Sequence, residues 1–470
     1  MVATPQQLHA AFHPRTIAVV GAKKSANYNW LRNMQTFTGK LYSVQVDPNE
    51  IPGIEELGIP NYRSLAEIPE EIDYVCVAVP RRVVPAILKD AIAKKVKTVH
   101  LFTSGFAESK TEEGITLQQT VIKMSKEGGL TIVGPNCMGI FNAANGMRFY
   151  PYQIAGQVGR ASFVAQSGAH AGAFTQAAQS SGIAVNKAVS IGNAIMVDSS
   201  DLLDYFAQDE GTHVITMYIE GPKSGRALFD ALKRTTPKKP VVVWKGGQTE
   251  DGQRASASHT GALAASMDIW NAMVRQAGAV RADSMEEAID MTKTLLYLKA
   301  PAGPGLGIIG GSGGQGVEMS DAFSKEGLRV PRLSQASLDK LGSFFQLIGA
   351  SYFNPMDVGG LNRSMFDSIV ETLTTDPVVD AVVTKLNHDA LDDDGRQRLD
   401  TYLKYRDITG KPFLAVLSSP NPYRDGQALF DLDKALLEKG IPSFPSPERA
   451  AKALRRLMDY QAFKAGVAAS

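Results

Sequence analysis

The chain has 470 residues, with 49 Lys and Arg against 48 Asp and Glu, for a net charge of +1 at pH 7. That length has room for roughly two to four domains with separate cores, and the near-neutral charge excludes a global attraction to nucleic acid or to an anionic membrane surface. Two cysteines, Cys76 and Cys137, without a CxxC or a His-rich neighbour, exclude a disulfide framework and a zinc cluster and suit a reducing cytoplasm.

The start, Met-Val-Ala-Thr-Pro-Gln-Gln, has no basic region followed by an apolar core, so no secretory signal is expected. No apolar run approaches the roughly 20 residues of a membrane span. Thr16-Ile17-Ala18-Val19-Val20-Gly21-Ala22 reads as a buried parallel strand ending in a tight turn, and a helix with Trp30, Leu31 and Met34 follows from about Asn29. Further strands are expected at residues 41–48, 74–80, 98–105 and 130–136, with Val83, Val84, Ile87 and Leu88 opening one of the intervening helices. Strands alternating with helices predict a doubly wound parallel sheet over residues 1–150. Ligands of such sheets bind beyond the carboxyl ends of the strands, where Gly21, Pro80, Ser104-Gly105 and Gly134-Pro135-Asn136 fall. The full GxGxxG fingerprint is missing, which argues against a dinucleotide-dependent dehydrogenase.

A second unit is expected over residues 151–300. One strand stops at Gln166-Ser167-Gly168-Ala169, and the helix of small residues that follows offers its first N–H groups to an anion. The plainer alternative, that Gly168 only lets strand turn into helix, stays open here. Asp198, Ser200 and Asp201 read as acidic caps of a helix carrying Leu202 and Leu203. The strand over residues 214–221 delivers Glu220 at its carboxyl end, and the strand over residues 240–247 leads into Ser256-Ala257-Ser258-His259-Thr260-Gly261-Ala262-Leu263-Ala264. This is a lone histidine among small residues, expected to form a loop with an exposed imidazole. Such an imidazole is a competent nucleophile toward phosphorus, and a carboxylate at Glu220 would fix its tautomer. Each has an ordinary alternative: His259 as a polar surface residue, Glu220 as an exposed strand end.

Pro301-Ala302-Gly303-Pro304-Gly305 reads as a linker to a third unit, residues 301–470. There Gly311-Ser312-Gly313-Gly314-Gln315-Gly316 is again placed between strand and helix, but no Gly-Lys-Ser/Thr closes it as a P-loop. Strands near residues 354–360, 379–386 and 412–417 continue the sheet, and Ser446-Pro447-Glu448 opens a closing helix that should complete the domain near Tyr460. Two strand–glycine–helix turns and one histidine fit a phosphoryl-handling protein. There is no kinase signature, Walker motif or acidic cluster for a metal, so the chain is not expected to bind ATP or a metal ion by itself.

Taken together, Gly134-Pro135-Asn136-Cys137-Met138-Gly139-Ile140, Gln166-Ser167-Gly168-Ala169, Ser190-Ile191-Gly192-Asn193, Tyr218-Ile219-Glu220-Gly221, Ser258-His259-Thr260-Gly261-Ala262 and Asn354-Pro355-Met356-Asp357-Val358-Gly359-Gly360 resemble the NDP-forming acyl-CoA synthetases. The motifs stand in that family's order along nearly the whole chain. The resemblance implies an α/β architecture of a Rossmann-like CoA-binding domain followed by two flavodoxin-like domains. It also implies an α-type subunit that interconverts carboxylic acid, CoA and ATP or GTP with acyl-CoA, ADP or GDP and phosphate. His259 would be the phosphorylated residue, carried on a swinging loop between two sites, and Glu220 would orient it. Gln166, Ser167, Gly168 and Ala169, with Ser312, Gly313 and Gly314, would hold the phosphoryl group. CoA would lie across Gly21, Ala22, Lys23, Val79, Pro80, Ser104, Gly105 and Asn136.

Two departures stand out. Lys23-Lys24-Ser25-Ala26-Asn27-Tyr28-Asn29 has no second glycine where the family has one, and Val46-Asp47-Pro48 replaces Val-Asn-Pro. No ATP-grasp domain is expected within these residues, so either a separate ATP-grasp β subunit binds the nucleotide with Mg, in a dimer or heterotetramer located in the cytoplasm, or no nucleotide site exists. The other reading is a non-catalytic CoA- or acyl-CoA-binding regulator of the same fold; the retained pair His259 and Glu220 favours the enzyme. The small and polar residues near Gln166, Asn193 and Asn354 do not choose between acetate, longer acids and aromatic ones.

Overall fold

Short, largely apolar runs become mostly buried strands, and seventeen strands form among the residues described by the computed structural model: 3–260, 266–310, 312–344, 353–358, 363–419 and 421–469. The first sheet contains β1 (Thr16–Val20), β2 (Lys40–Val44), β3 (Asn61–Tyr62), β4 (Tyr74–Val77), β5 (Thr98–Leu101) and β6 (Thr131–Val133). All its pairings are parallel, in the order β3-β2-β1-β4-β5-β6. This is the Rossmann order, and its direction reverses between β1 and β4.

The second sheet contains β7 (Gly139–Asn142), β8 (Ala161–Ala165), β9 (Val185–Ser190), β10 (Val214–Ile219), β11 (Val241–Lys245) and β12 (Val280–Ala282), in the order β12-β11-β10-β8-β9-β7. Its five later strands have the flavodoxin order, and β7 adds an antiparallel edge on β9. The third sheet contains β13 (Leu306–Gly310), β14 (Met356–Asp357), β15 (Ala381–Leu386), β16 (Phe413–Leu417) and β17 (Ser443–Phe444), in the order β14-β13-β15-β16-β17. This is the flavodoxin order again.

Compactness divides the chain into Met1–Ala288, which holds the first two sheets, and Ile289–Ser470. Helix Met285–Tyr297 carries Asp290 and Lys293 into the ion pairs of the second unit. Lys293 Nζ lies 2.8 Å from Asp433, with both side chains largely buried, and Arg449 grips Asp290 through Nε and Nη2 at 2.5 and 2.8 Å. Such a fork-to-carboxylate pair fixes orientation as well as charge. The segment 301–305 leads into β13, with Gly305 N–H donating to Asp380 at 2.9 Å. Ser446 Oγ caps the closing helix through Arg449 N–H at 3.3 Å. That helix runs to Ala469, beyond the expected end near Tyr460, but Tyr460 is its last buried residue.

Among the described side chains, the core of the first unit contains one buried imidazole. His100 on β5 is fully buried, edge-on to Trp30 at 5.1 Å, and its Nε2 lies 3.0 Å from the Cys137 carbonyl. A carbonyl only accepts, so Nε2 carries the proton, and the buried Nδ1 has no hydrogen-bond partner. Burial lowers the pKa of this group from 6.5 to about 4, against a small opposing effect of the Cys137 carbonyl. Between those values the unfolded chain takes up a proton that the folded chain refuses, so His100 removes stability as pH falls through that window. Imidazole NMR, with the signal assigned by its loss in His100→Gln, should give a midpoint near 4; a midpoint near 6.5 would contradict this environment.

Candidate functional site

The turn after β1 is built on a close approach. Gly21 has φ +88°, and a Cβ there would stand 2.5 Å from Val79 Cγ1 and 2.9 Å from the Ala78 carbonyl oxygen. Only glycine meets both conditions, so the ends of β1 and β4 can meet at the point where the strand order reverses. Two adjoining hollows open there. One, of about 380 Å³, is lined by Val79, Pro80, Arg81, Thr103, Ser104 and Asn136; the other, of about 330 Å³, takes in Gly21, Ala22 and Lys23. Ala78 and Phe102 line both. Every residue expected to contact CoA, apart from Gly105, lines one of these hollows. Gly105 stands beside them, its carbonyl accepting from Arg81 Nη1 at 2.6 Å.

Arg81 escaped the reading of the sequence, although Pro80-Arg81-Arg82 directly after a strand was a signal for it. Its Nη2 donates to Glu113 at 2.7 Å, and Arg82 Nε donates to the other oxygen at 2.5 Å. Arg82, then Arg81, hold the Glu113 carboxyl down to about 2. A guanidinium positioned in this way at the crevice wall suits a phosphate-bearing ligand.

At the corresponding place in the second sheet, Gln166 follows β8 and Glu220 follows the neighbouring β10. The Gln166 amide clamps the end of β10: its Oε1 accepts from the N–H of Glu220 at 2.5 Å and of Gly221 at 2.9 Å, while Nε2 donates to the Gly221 carbonyl at 2.7 Å. Ser167 caps helix Gly168–Ser180, its Oγ accepting the His170 N–H at 3.3 Å. Gly168 sits tightly on Met138, where a Cβ would come within 2.8 Å of Cγ. Ala169 is exposed in the first turn.

Glu220 is 7% exposed, and His170 beside it is a residue the sequence reading did not single out. The Tyr218 hydroxyl is raised above its ordinary value by burial and then by the Glu220 carboxylate, to which it is hydrogen-bonded. His170 stacks on Tyr218 at 4.2 Å, meets Trp244 edge-on at 4.9 Å, and places Nδ1 3.0 Å from Ser167 Oγ. Burial lowers the His170 pKa, with Glu220 opposing, so its neutral form dominates at pH 7. Lys245 ends β11 and donates from Nζ to the Glu220 carbonyl at 2.7 Å and to the Gly246 carbonyl. The histidine in Ser-Gly-Ala-His, one turn into a helix, was a sequence signal for His170.

β10 and β11 pair in parallel with Ile219 opposite Lys245, so Glu220 and the segment leading to His259 leave adjacent strand ends. The expected loop is partly a helix: Glu250–Thr260 is helical through His259. Glu250 and Asp251 favour the positive end of its dipole, and the Ala and Ser that suggested a loop are compatible with helix where acids start it. The His259 side chain and residues 261–265 lie outside the described residues. In the second unit, Ser312 flanks helix Gly313–Lys325 without capping it through its side chain, and Ser312, Gly313 and Gly314 are exposed. A Cβ on Gly313 would come 3.8 Å from Asp357 Oδ2. Gly311, Gly359 and Gly360 lie outside the described residues. Among the described residues no group of three or more His, Cys, Asp or Glu could hold a metal ion, and no helix is long and apolar enough to cross a membrane.

Residues 15–143 match the CoA-binding domain family, and residues 158–295 match the succinyl-CoA ligase like flavodoxin domain. The chain is 32% identical over 468 residues to the α subunit of ADP-forming acetate–CoA ligase I of Pyrococcus furiosus, covering 97% of this chain and 98% of the relative. It is also 32% identical over 458 residues to ADP-forming acetate–CoA ligase I of Archaeoglobus fulgidus; here it spans 97% of its own length and 64% of that longer protein. Among solved structures, acetyl-coenzyme A synthetase 1 of Candidatus Korarchaeum cryptofilum in complex with phosphate and ADP superposes with a TM-score of 0.82, at 29% identity and 97% coverage of both chains. With relatives matched end to end and the crevice and strand-end residues arranged as described, the chain belongs to the α subunits of the ADP-forming acyl-CoA synthetase family.

Proposed function

We propose that this chain is the CoA-binding, histidine-phosphorylated part of an enzyme that interconverts carboxylic acid, CoA and ATP or GTP with acyl-CoA, ADP or GDP and phosphate. Residues 1–150 form the CoA-binding domain, 151–300 the flavodoxin-like domain with His259, and 301–470 a second flavodoxin-like ligase domain. The nucleotide and its Mg bind to an ATP-grasp β subunit, giving a cytoplasmic dimer or heterotetramer; the free, buried Cys76 and Cys137 are consistent with that compartment. The observation that carries the reading is the adjacency of β10 and β11, which sends Glu220 and the His259 segment out from neighbouring strand ends.

A neutral imidazole nitrogen of His259 attacks the phosphorus of the nucleotide's terminal phosphate, and the diphosphate leaves with the electron pair of the broken P–O bond. Glu220, whose backbone is held by Gln166 and Lys245, accepts the other ring N–H and stabilises the positive charge that grows on the ring. The phosphoryl group then passes to the acid's carboxylate, and thiol attack on the resulting acyl phosphate releases phosphate. The N–H groups after Ser167 hold the anion without counter-charges of their own, and those after Ser312 are suited to an anion in the same way. Val79, Pro80, Ser104, Gly105 and Asn136, with Arg81, line the path of CoA toward this point. The CoA-binding regulator keeps no use for a buried carboxylate beside a histidine segment, and no observation favours it.

Purified with an ATP-grasp partner and given γ-labelled ATP, the chain should take up label that His259→Ala does not; undiminished labelling of that variant removes the assignment. Glu220→Gln preserves shape and abolishes the charge, and should slow labelling by about 10²-fold or more. An unchanged labelling rate would contradict the orienting role.

A further inference from the structure

The hollow of about 330 Å³ beside the turn after β1 differs in chemistry from its neighbour. The neighbouring crevice offers a guanidinium, two hydroxyls and an amide from Arg81, Thr103, Ser104 and Asn136. The 330 Å³ chamber is walled by Trp30, Phe102, Met138, Phe149 and Tyr150, with Lys23 and Asn29 among its few polar lining residues. The Asn33 amide at its edge is already committed, Nδ2 donating to the Phe149 carbonyl at 2.9 Å. Beyond residues 21–23 at its mouth, which are expected to meet CoA, diphosphate and amide groups have little to bond with along this wall, whereas a ring has several partners. Trp30 and Phe102 stand edge to face at 5.1 Å, as do Phe149 and Tyr150 at 5.5 Å, the arrangement that aromatic groups extend when another ring joins them.

The position of the chamber matters as much as its lining. One end opens at Ala78 and Phe102, the residues that line both hollows. Another is bounded by Met138, against which Gly168 is set at the first turn of helix Gly168–Ser180. The chamber therefore lies between the CoA crevice and the helix N-terminus assigned to the phosphoryl group. In the proposed reaction the carboxyl carbon must meet both the thiol and the phosphoryl group, so the rest of the acid has to occupy space flanking that line. Acetate would leave most of this volume empty, while the chamber sits at the lower end of the ~300–1,000 Å³ that holds drug-sized ligands.

We propose that the chamber receives the organic part of the carboxylic acid, and that the acid is aromatic. This rests on reading the adjoining crevice as the CoA site. Titration calorimetry on the wild-type chain with CoA, acetyl-CoA and phenylacetyl-CoA separates the two claims. The aryl thioester should bind about ten-fold tighter than acetyl-CoA, or more, because it alone buries a ring. Ala26→Phe, which adds a ring to the chamber wall, should bring that ratio close to one. Equal or weaker binding of phenylacetyl-CoA by the wild type, with CoA still bound, overturns the aromatic assignment and spares the CoA site; a preference that survives in Ala26→Phe overturns the location. Failure of all three ligands to bind rejects the CoA reading itself, and the proposal falls with it.

Discussion

No side chain fits where the Gly21 backbone passes Ala78 and Val79, and the rest of the crevice depends on that contact. It brings the ends of β1 and β4 together at the reversal of strand order, so the backbone groups of residues 21–23 face a hollow instead of a packed side chain. The same place in the other two sheets carries the other candidate residues. Gln166 and Ser167 follow β8 where the order turns toward β10, and Ser312 follows β13 where it turns toward β15. In each sheet the candidate residues therefore sit at the exit turn of the strand where the order reverses, the location at which parallel sheets leave a crevice open.

The second sheet shows how a carboxylate is kept available in such a crevice. Gln166 satisfies the backbone of residues 220 and 221, and Lys245 takes the Glu220 carbonyl, so the strand end is held by neighbours on both sides. The aromatic cluster of His170, Tyr218 and Trp244 then limits water around the carboxylate. A carboxylate in those surroundings interacts more strongly with a charge that develops on a nearby imidazole than it would in open solvent.

Most interior strands were legible because they are largely apolar runs, several of them closed by a glycine or proline, the pattern of a strand buried on both faces. The strands missed in reading the sequence, β3, β7, β12 and β17, all lie at sheet edges and have between two and four residues. Pairing on one side asks little of side-chain pattern, so such strands leave no periodic signal. The segment before His259 was misjudged for a related reason: Ala and Ser are compatible with loop and helix alike, and the acidic pair Glu250-Asp251 was the deciding feature. Strand-end residues such as Glu220 and Asn136 could be located from one dimension, because the end of an apolar run is itself a coordinate. The chamber wall could not, since it brings together residues distant in sequence, such as Trp30 and Phe149.

The central claim is that CoA lies across the carboxyl ends of the first sheet, and amide hydrogen exchange with and without CoA reads it directly. The account predicts slowed exchange at residues 21–23, 79–81, 103–105 and 136, with little change at the opposite, amino-terminal ends of β1, β4 and β5. Protection confined to those opposite ends, or to the second unit alone, would contradict it.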